Sequence, residues 1–273
     1  MEHTFVICAY KESPYLEECI QSLKKQTMES MLLLATSTPS AFLENLCIKY
    51  EIEYVVRDGE PSIGVDWNQA LSVANTKYVT IAHQDDFYET EYARTMVNHM
   101  NATENNASKP IIAFSDYYEL QGTTIYKNNL NLCIKRFILS PLKHQKKQAN
   151  ISSKRGVLKY GNAICCPSVT FNKRYIDELI KKDGRGEVFN GHMRSNLDWE
   201  AWEWLSSHQG AFVYVRKQLM GHRIHAGSET TAIIQDNMRG EEDYEMFCKF
   251  WSPQVAKFFA KVYSLSEKGN KIK

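Results

Sequence analysis

A chain of 273 residues, 43% of them hydrophobic, is long enough for one large α/β domain or two small ones and can bury a sizeable core. With 33 Lys and Arg against 32 Asp and Glu, the net charge is +1, which excludes the global basic field that non-specific nucleic-acid binding draws on. No nucleic-acid partner is expected, so any anionic ligand must be met by a local cluster.

Phe5-Val6-Ile7-Cys8-Ala9 reads as a buried strand, after which Ser13-Pro14 opens a helix with Leu16, Ile20 and Leu23 on its inner face. Met31 to Ala35 is a second strand, and Thr38-Pro39 opens a helix buried along Phe42, Leu43, Leu46, Cys47 and Tyr50. Glu53 to Arg57 is a third strand, and Ile63, Trp67, Ala70, Leu71 and Ala74 share one helical face. Tyr78 to Ala82 is a fourth strand, followed by a helix marked by Tyr92, Met96, Val97 and Met100. This alternation predicts a mostly parallel sheet with helices on both faces, whose ligands sit beyond the carboxyl ends of the strands. The stretch TIAHQDDFY, Thr80 to Tyr88, places a histidine, an amide and two carboxylates at such an end. No G-x-G-x-x-G follows the first strand and no G-x-x-x-x-G-K-[ST] occurs, so neither a dinucleotide fingerprint nor a P-loop is supported.

After a strand over 110–115 the alternation fails. Residues 127–160, rich in Lys, Asn, Gln and Ser, read as a mobile basic connection to a second lobe. That lobe holds a strand broken by Pro167, a helix over 173–182, a loop with Gly184 and Gly186, a helix from about Asp198 to Gly210, and the strand AFVYVR. The tail from 236 is helical and aromatic. Expected boundaries are 1–126 for a donor-binding lobe, 127–235 for an acceptor-binding lobe with the catalytic base, and 236–273 for a helical extension. Seven scattered cysteines without C-x-x-C pairing, no targeting segment and no run of ~20 apolar residues point to a reduced, cytoplasmic chain. On that reading the sequons at Asn101, Asn106 and Asn150 are idle.

Three clusters can carry chemistry. Asp85 and Asp86 either cap the next helix or, with His83, hold a hard divalent cation bridging two phosphates. Strand alternation would put His83 and Asp85 on one side, with Asp86 turned to the helix or a sugar hydroxyl. In NLDWEAWEWL, Trp199, Trp202 and Leu205 form a packing stripe, while Asp198 is either an N-terminal helix carboxylate or a general base beside a cleft. In GHRIHAGSETT, His222, Arg223 and His225 are structural, or grip a diphosphate, or supply a metal ligand.

With these motifs the chain resembles the family-2 glycosyltransferases, which have the GT-A fold. TFVICAYKESPYLEECIQSLKKQT is similar to the family's opening strand, turn and helix, normally V-I-P-T-Y-N and then Q-T. WNQALSVANTKYVTIAHQDDFY resembles the segment leading into the D-x-D motif, LDWEAWEWL the E-D-W pattern of the catalytic base, and GHRIHAGSETT the closing R-x-H segment. The resemblance covers roughly residues 4 to 230. It implies transfer of one sugar from a nucleoside diphosphate donor to an acceptor hydroxyl with inversion, in polysaccharide or glycoconjugate assembly. Asp198 would be the base, and a Mn²⁺ or Mg²⁺ held by Asp85, with His83 or His225, would face the diphosphate. Ala9, Tyr10, Glu12, Asn68, Gln84, Asp86 and Arg223 would line the donor site. The acceptor would be a saccharide or a lipid- or protein-linked glycan.

Departures from the family pattern fall in the site itself. His83-Gln84-Asp85 stands where D-x-D is usual, and LLLATSTPS replaces V-V-D-D-G-S, leaving Thr36 or Ser37 to substitute for the base-binding aspartate. Leu197-Asp198 keeps the base of the E-D pair without its neighbour. Two other readings stay open: a sugar nucleotidyltransferase, although CAYKESPY lacks the glycines of its usual loop, and a catalytically silent carbohydrate-binding protein. The tail aromatics Phe247, Phe250, Trp251, Phe258, Phe259 and Tyr263, interleaved with Lys249, Lys257 and Lys261, would pack on the domain or a second subunit, or lie on the inner face of a membrane.

Overall fold

A computed structural model describes residues 1–106, 108–225 and 239–268. Strand β1 (His3–Ala9) pairs in parallel with β2 (Met31–Thr36) and β4 (Tyr78–His83), and β2 pairs in parallel with β3 (Glu53–Val56). Along β1 the side chains alternate between two apolar layers, as a strand buried on both faces requires. Phe5, Ile7 and Ala9 join Leu16 and Ile20 of α1 (Leu16–Lys24), Leu43 and Leu46 of α2 (Ala41–Tyr50), and Tyr92 and Met96 of α4 (Tyr92–Asn105). Val6 joins Leu33, Val79 and Ile81, covered by Ala70 and Leu71 of α3 (Ile63–Val73). The proline openings differ by one or two residues from the expected starts. Ser40, not Thr38, caps α2 by accepting the Leu43 N–H, and α1 begins only at Leu16.

One sheet runs across the expected boundary at 126. The strand order is β3-β2-β1-β4-β8-β6-β9-β5, so β8 (Val169–Asn172) is inserted, antiparallel, between β4 and β6 (Pro110–Gln121). Beside β6 runs parallel β9 (Ala211–Arg223), which extends well past AFVYVR and carries His222 and Arg223. A two-residue strand β5 (Phe87–Tyr88) pairs with the end of β9 and brings the HQDD turn against those residues. On β6, the hairpin strand β7 (Thr124–Tyr126) folds back.

Residues 127–160 are helical rather than a mobile connection: α5 (Leu130–Ile138), a 3₁₀ turn (Ser140–Lys143), α6 (Gln145–Gln148) and α7 (Ile151–Leu158). Their polar composition conceals the caps that start them. Asn129 accepts the Leu132 N–H, and Asn150, one of the sequon residues, accepts the Ser153 N–H. Helices α8 (Lys173–Asp183) and α9 (Leu197–Ser206) cover the same face as α3. Gly64 permits the close approach of α3 to α9, because a β-carbon there would stand 3.2 Å from Leu197 Cδ2.

The C-terminal helices α10 (Arg239–Cys248) and α11 (Pro253–Lys268) pack on their own domain. Phe247 meets Trp199 edge-on at 5.1 Å and stacks with Phe259, and Trp251 Nε1 donates to the Lys159 carbonyl. The expected aromatic face is thus mostly consumed internally, although Phe258 stays 63% exposed. Residues 226–231 of GHRIHAGSETT and the tail beyond 268 lie outside the described residues. No helix among the described residues is long and apolar enough to cross a membrane.

Candidate active site

β4 stops at His83 because the chain turns there: the Asp86 N–H donates to the His83 carbonyl at 3.2 Å. The turn removes the alternation that would have kept His83 and Asp85 on one face. The His83 ring instead stacks on Trp67, with centroids 5.1 Å apart. Burial lowers its pKa to about 4, so the ring is neutral, and its buried Nε2 has no hydrogen-bond partner. Asp85 Oδ2 lies 2.8 Å from His225 Nε2. The structure therefore brings Asp85 to His225 and gives His83 a stacking contact. No group of three or more His, Cys, Asp and Glu arranged to hold a metal is found among the described residues.

Asp86 is almost wholly buried. Its Oδ1 accepts the Arg223 backbone N–H at 2.8 Å and faces His222 Nδ1 at 3.2 Å, while Oδ2 has no partner. Burial pulls the His222 pKa down, but the Asp86 and Asp85 charges outweigh it and leave the imidazole above its ordinary value. Arg223 spans the site: Nε donates to the Asp85 carbonyl, one terminal nitrogen to Glu18 at 2.7 Å, and the guanidinium lies over the Tyr15 ring. These bonds fix the Asp85 turn from the end of β9.

At the end of β1, Ala9 is buried, Tyr10 and Glu12 are exposed, and Lys11 holds a left-handed φ of 55°. Gln84 clips this loop to β4 by donating to the Tyr10 carbonyl (2.9 Å) and accepting the Tyr10 N–H (3.2 Å). Beside it, a carboxylate from another element reaches the end of β2. Asp66, in the first turn of α3, accepts the Ser37 hydroxyl at 2.9 Å on Oδ2 and the Arg57 Nε at 2.8 Å on Oδ1. Thr36 Oγ1 accepts the Thr38 N–H, and its carbonyl accepts the Arg57 N–H. Neither Asp66 nor Arg57 was marked by any local pattern, since an acid in a first helical turn is ordinary. Asn68 is spent elsewhere: its amide donates to Glu187 and to the Phe189 carbonyl and accepts the Phe189 N–H, docking the 187–189 loop on α3.

Asp198 lies in the first turn of α9, with Oδ1 accepting the Trp199 N–H at 2.8 Å and Oδ2 the Asn162 amide at 2.6 Å. Burial raises its pKa, and these two bonds counter the rise without cancelling it. Such a carboxylate is more basic than an exposed one, which suits proton abstraction. Cys165 and Cys166 lie within electrostatic reach of both Asp86 and Asp198. Lys135 of α5 acts on Asp198 and His222 alike and donates to the Tyr117 hydroxyl at 2.8 Å. Sequence reasoning also left out Asn162 and Lys135, which stand in stretches of ordinary polar composition.

The model of the family described as Glycosyl transferase family 2 matches residues 4–180. The chain belongs to glycosyltransferase family 2. Asp198 and β9 lie beyond the matched segment of this family 2 chain. Among solved structures, Staphylococcus aureus TarS residues 1–349 in complex with UDP-GlcNAc is similar, at 14% identity and TM-score 0.59, covering 90% of this chain and 64% of that one. The longer S. aureus TarS chain is similar at 13% identity and TM-score 0.59, over 100% of this chain and 44% of that one. The 1–349 form with UDP gives 14% identity and TM-score 0.55, over 92% and 70%. The likeness establishes the GT-A architecture for the family 2 chain, which spans less than two thirds of the first of these neighbours. No curated protein matches the sequence.

Proposed function

We propose that this family 2 glycosyltransferase moves one sugar, with inversion, from a nucleoside diphosphate sugar to an acceptor hydroxyl in polysaccharide or glycoconjugate synthesis. The reading rests on the pairing of a basic, hydrogen-bonded Asp198 on α9 with the Asp85 turn at the end of β4, both bordering the Cys165-Cys166 segment. In-line displacement needs a base and a leaving-group site on opposite faces of the sugar, and two separate elements supply them. Asp198 takes the acceptor proton on its carboxylate, and Asn162 holds that carboxylate in place. The TarS complex contains UDP-GlcNAc, which supports a nucleotide-sugar donor; the β1 end, Thr36, Ser37 and the Asp66–Arg57 pair would receive the nucleotide.

Asp85 and His225 offer one carboxylate and one imidazole, a donor set that fits Mn²⁺ or Mg²⁺ completing its shell with diphosphate oxygens and water. The ion would supply positive charge against the departing diphosphate. His83, neutral and stacked on Trp67, would shape the wall beside it. The acceptor would be a saccharide or a lipid- or protein-linked glycan. A thermal-shift screen of nucleoside diphosphates with and without Mn²⁺ identifies the donor class, after which nucleoside diphosphate release is followed in the parent, Asp85→Ala and Asp198→Asn. Turnover is expected to fall by ~10²–10⁴-fold in Asp198→Asn; undiminished turnover in both variants refutes the assignment, and pyrophosphate release from a nucleoside triphosphate would instead mark a nucleotidyltransferase.

A further inference from the structure

Helix α5 turns a mixed side, with Leu132, Lys135, Arg136 and Ile138, to the protein and a wholly apolar stripe outward. Leu130 is 78% and Phe137 77% exposed, and Cys133 and Ile134 complete the same stripe at the i, i+3, i+4, i+7 spacing of one helical face. Ile125 and Tyr126 on the neighbouring hairpin strand β7 are exposed as well. The inner side is firmly attached. Leu132 is buried, Lys135 donates to Tyr117, and Arg136 donates to the Tyr117 and Lys127 carbonyls. The helix is therefore formed and anchored, with a row of large apolar side chains left in water.

Charge along this part of the chain is one-sided, and the nearest acids, Asp116 and Glu119 of β6, are paired inward with Arg136 and Asn129. From residue 120 to residue 176 the chain contains no Asp or Glu and 11 Lys and Arg, in a protein whose net charge is only +1. Lys127, Lys143, Lys146 and Lys147 are exposed. An apolar stripe in a segment with exposed lysines and no acid fits an anionic lipid surface, in which the side chains enter the acyl boundary and the ammonium groups meet the phosphates. A symmetric contact between two copies would set this acid-free segment against itself, and like charges oppose that arrangement.

We infer that α5, with the β7 hairpin, seats this enzyme on an anionic membrane surface. The inference does not rest on the sugar-transfer reading. It places the contact on α5 and not on the C-terminal helices, most of whose aromatic residues pack inward. Because Tyr117 and Lys135 join α5 to the His222 and Asp198 region, the seated helix holds the catalytic cleft close to the bilayer.

Sedimentation with vesicles of phosphatidylcholine, with and without phosphatidylglycerol, tests the proposal. The full chain is expected to co-sediment only with the anionic vesicles, less so as salt rises. The triple variant Leu130→Ser/Ile134→Ser/Phe137→Ser, and separately Lys143→Gln/Lys146→Gln/Lys147→Gln, are expected to bind ~10-fold less or weaker still, whereas Phe258→Ser/Val262→Ser binds as the parent does. All these side chains are exposed, and circular dichroism verifies that the variants fold. A nitroxide on Cys133, in a Cys248→Ser background, should become shielded from aqueous quenchers when vesicles are added. Equal binding by parent and apolar triple variant, a Cys133 label that stays water-accessible on bound protein, or a parent that binds no vesicle and exists as a dimer split by the triple variant would each overturn the inference.

Discussion

Glu242 in the first turn of α10 grips Ser195, three residues before the candidate base: its Oε2 accepts both the Ser195 N–H at 2.8 Å and the Ser195 hydroxyl at 2.5 Å. The same carboxylate accepts the Arg194 and Asn196 N–H groups, while Asp243 accepts the Asn196 amide. The C-terminal helices thereby hold the entry to α9. Burial raises the Glu242 pKa and the bonds from Ser195, Arg194 and Asn196 outweigh it, so the carboxylate stays ionised below the ordinary glutamate value.

Replacing Glu242 by Ala should loosen the 194–196 turn and misplace Asp198. We expect kcat to fall with little change in donor KM, together with about 1–3 kcal/mol of lost stability. Steady-state kinetics and urea unfolding measure the two effects; a change in donor KM alone would contradict a positioning role.

Protonation of Asp198 should set the acid limb of the rate profile. Its pKa is raised by burial, so activity is expected to be lost on acidification at a pH above the ordinary aspartate range. The Asn162 bond favours the ionised form; hence Asn162→Leu should move the acid limb to higher pH. The pH dependence of kcat/KM in parent and variant decides the sign.

Asp66 pairs with Arg57, and Ser37 joins the pair to the β2 end, where we propose that it receives the nucleotide. Asp66→Ala should raise donor KM about tenfold with a smaller effect on kcat. Titration of the parent and the variant with the nucleoside diphosphate product, followed by calorimetry, measures this loss; equal affinities would remove the pair from the donor site.

Lys154 is fully buried on α7 and donates to the His208 and Gly210 carbonyls at 2.5 and 2.8 Å, which join α9 to β9. Lys154→Met should cost about 3 kcal/mol by leaving both carbonyls unpaired. Burial lowers the lysine to about 8. Between that pH and the ordinary lysine value the unfolded chain binds more protons, so the parent should gain stability with rising pH relative to Lys154→Met. Urea midpoints of both proteins from pH 7 to pH 10 test the slope.

Hydrophobic periodicity, a property of near neighbours in the chain, determined β1 to β4, the helices between them and the place of HQDD beyond a strand end. It also marked Asp198 at the start of α9, since Trp199, Trp202 and Leu205 define that helix. The same logic misread 127–160, because the helices there are short, start on Asn caps and leave apolar side chains of α5 outside, so that composition resembles a loop. Pairings over long separations belong to the tertiary structure alone: Ser37 with Asp66, Asn162 with Asp198, and Ser195 with Glu242 lie 29, 36 and 47 positions apart. Whether a given carboxylate is a latch, a base or a ligand depends on what those distant partners leave open. At the HQDD turn the sequence set four polar groups side by side, and packing then separated them by stacking His83 on Trp67, clipping Gln84 to Tyr10, facing Asp85 to His225 and burying Asp86 under β9.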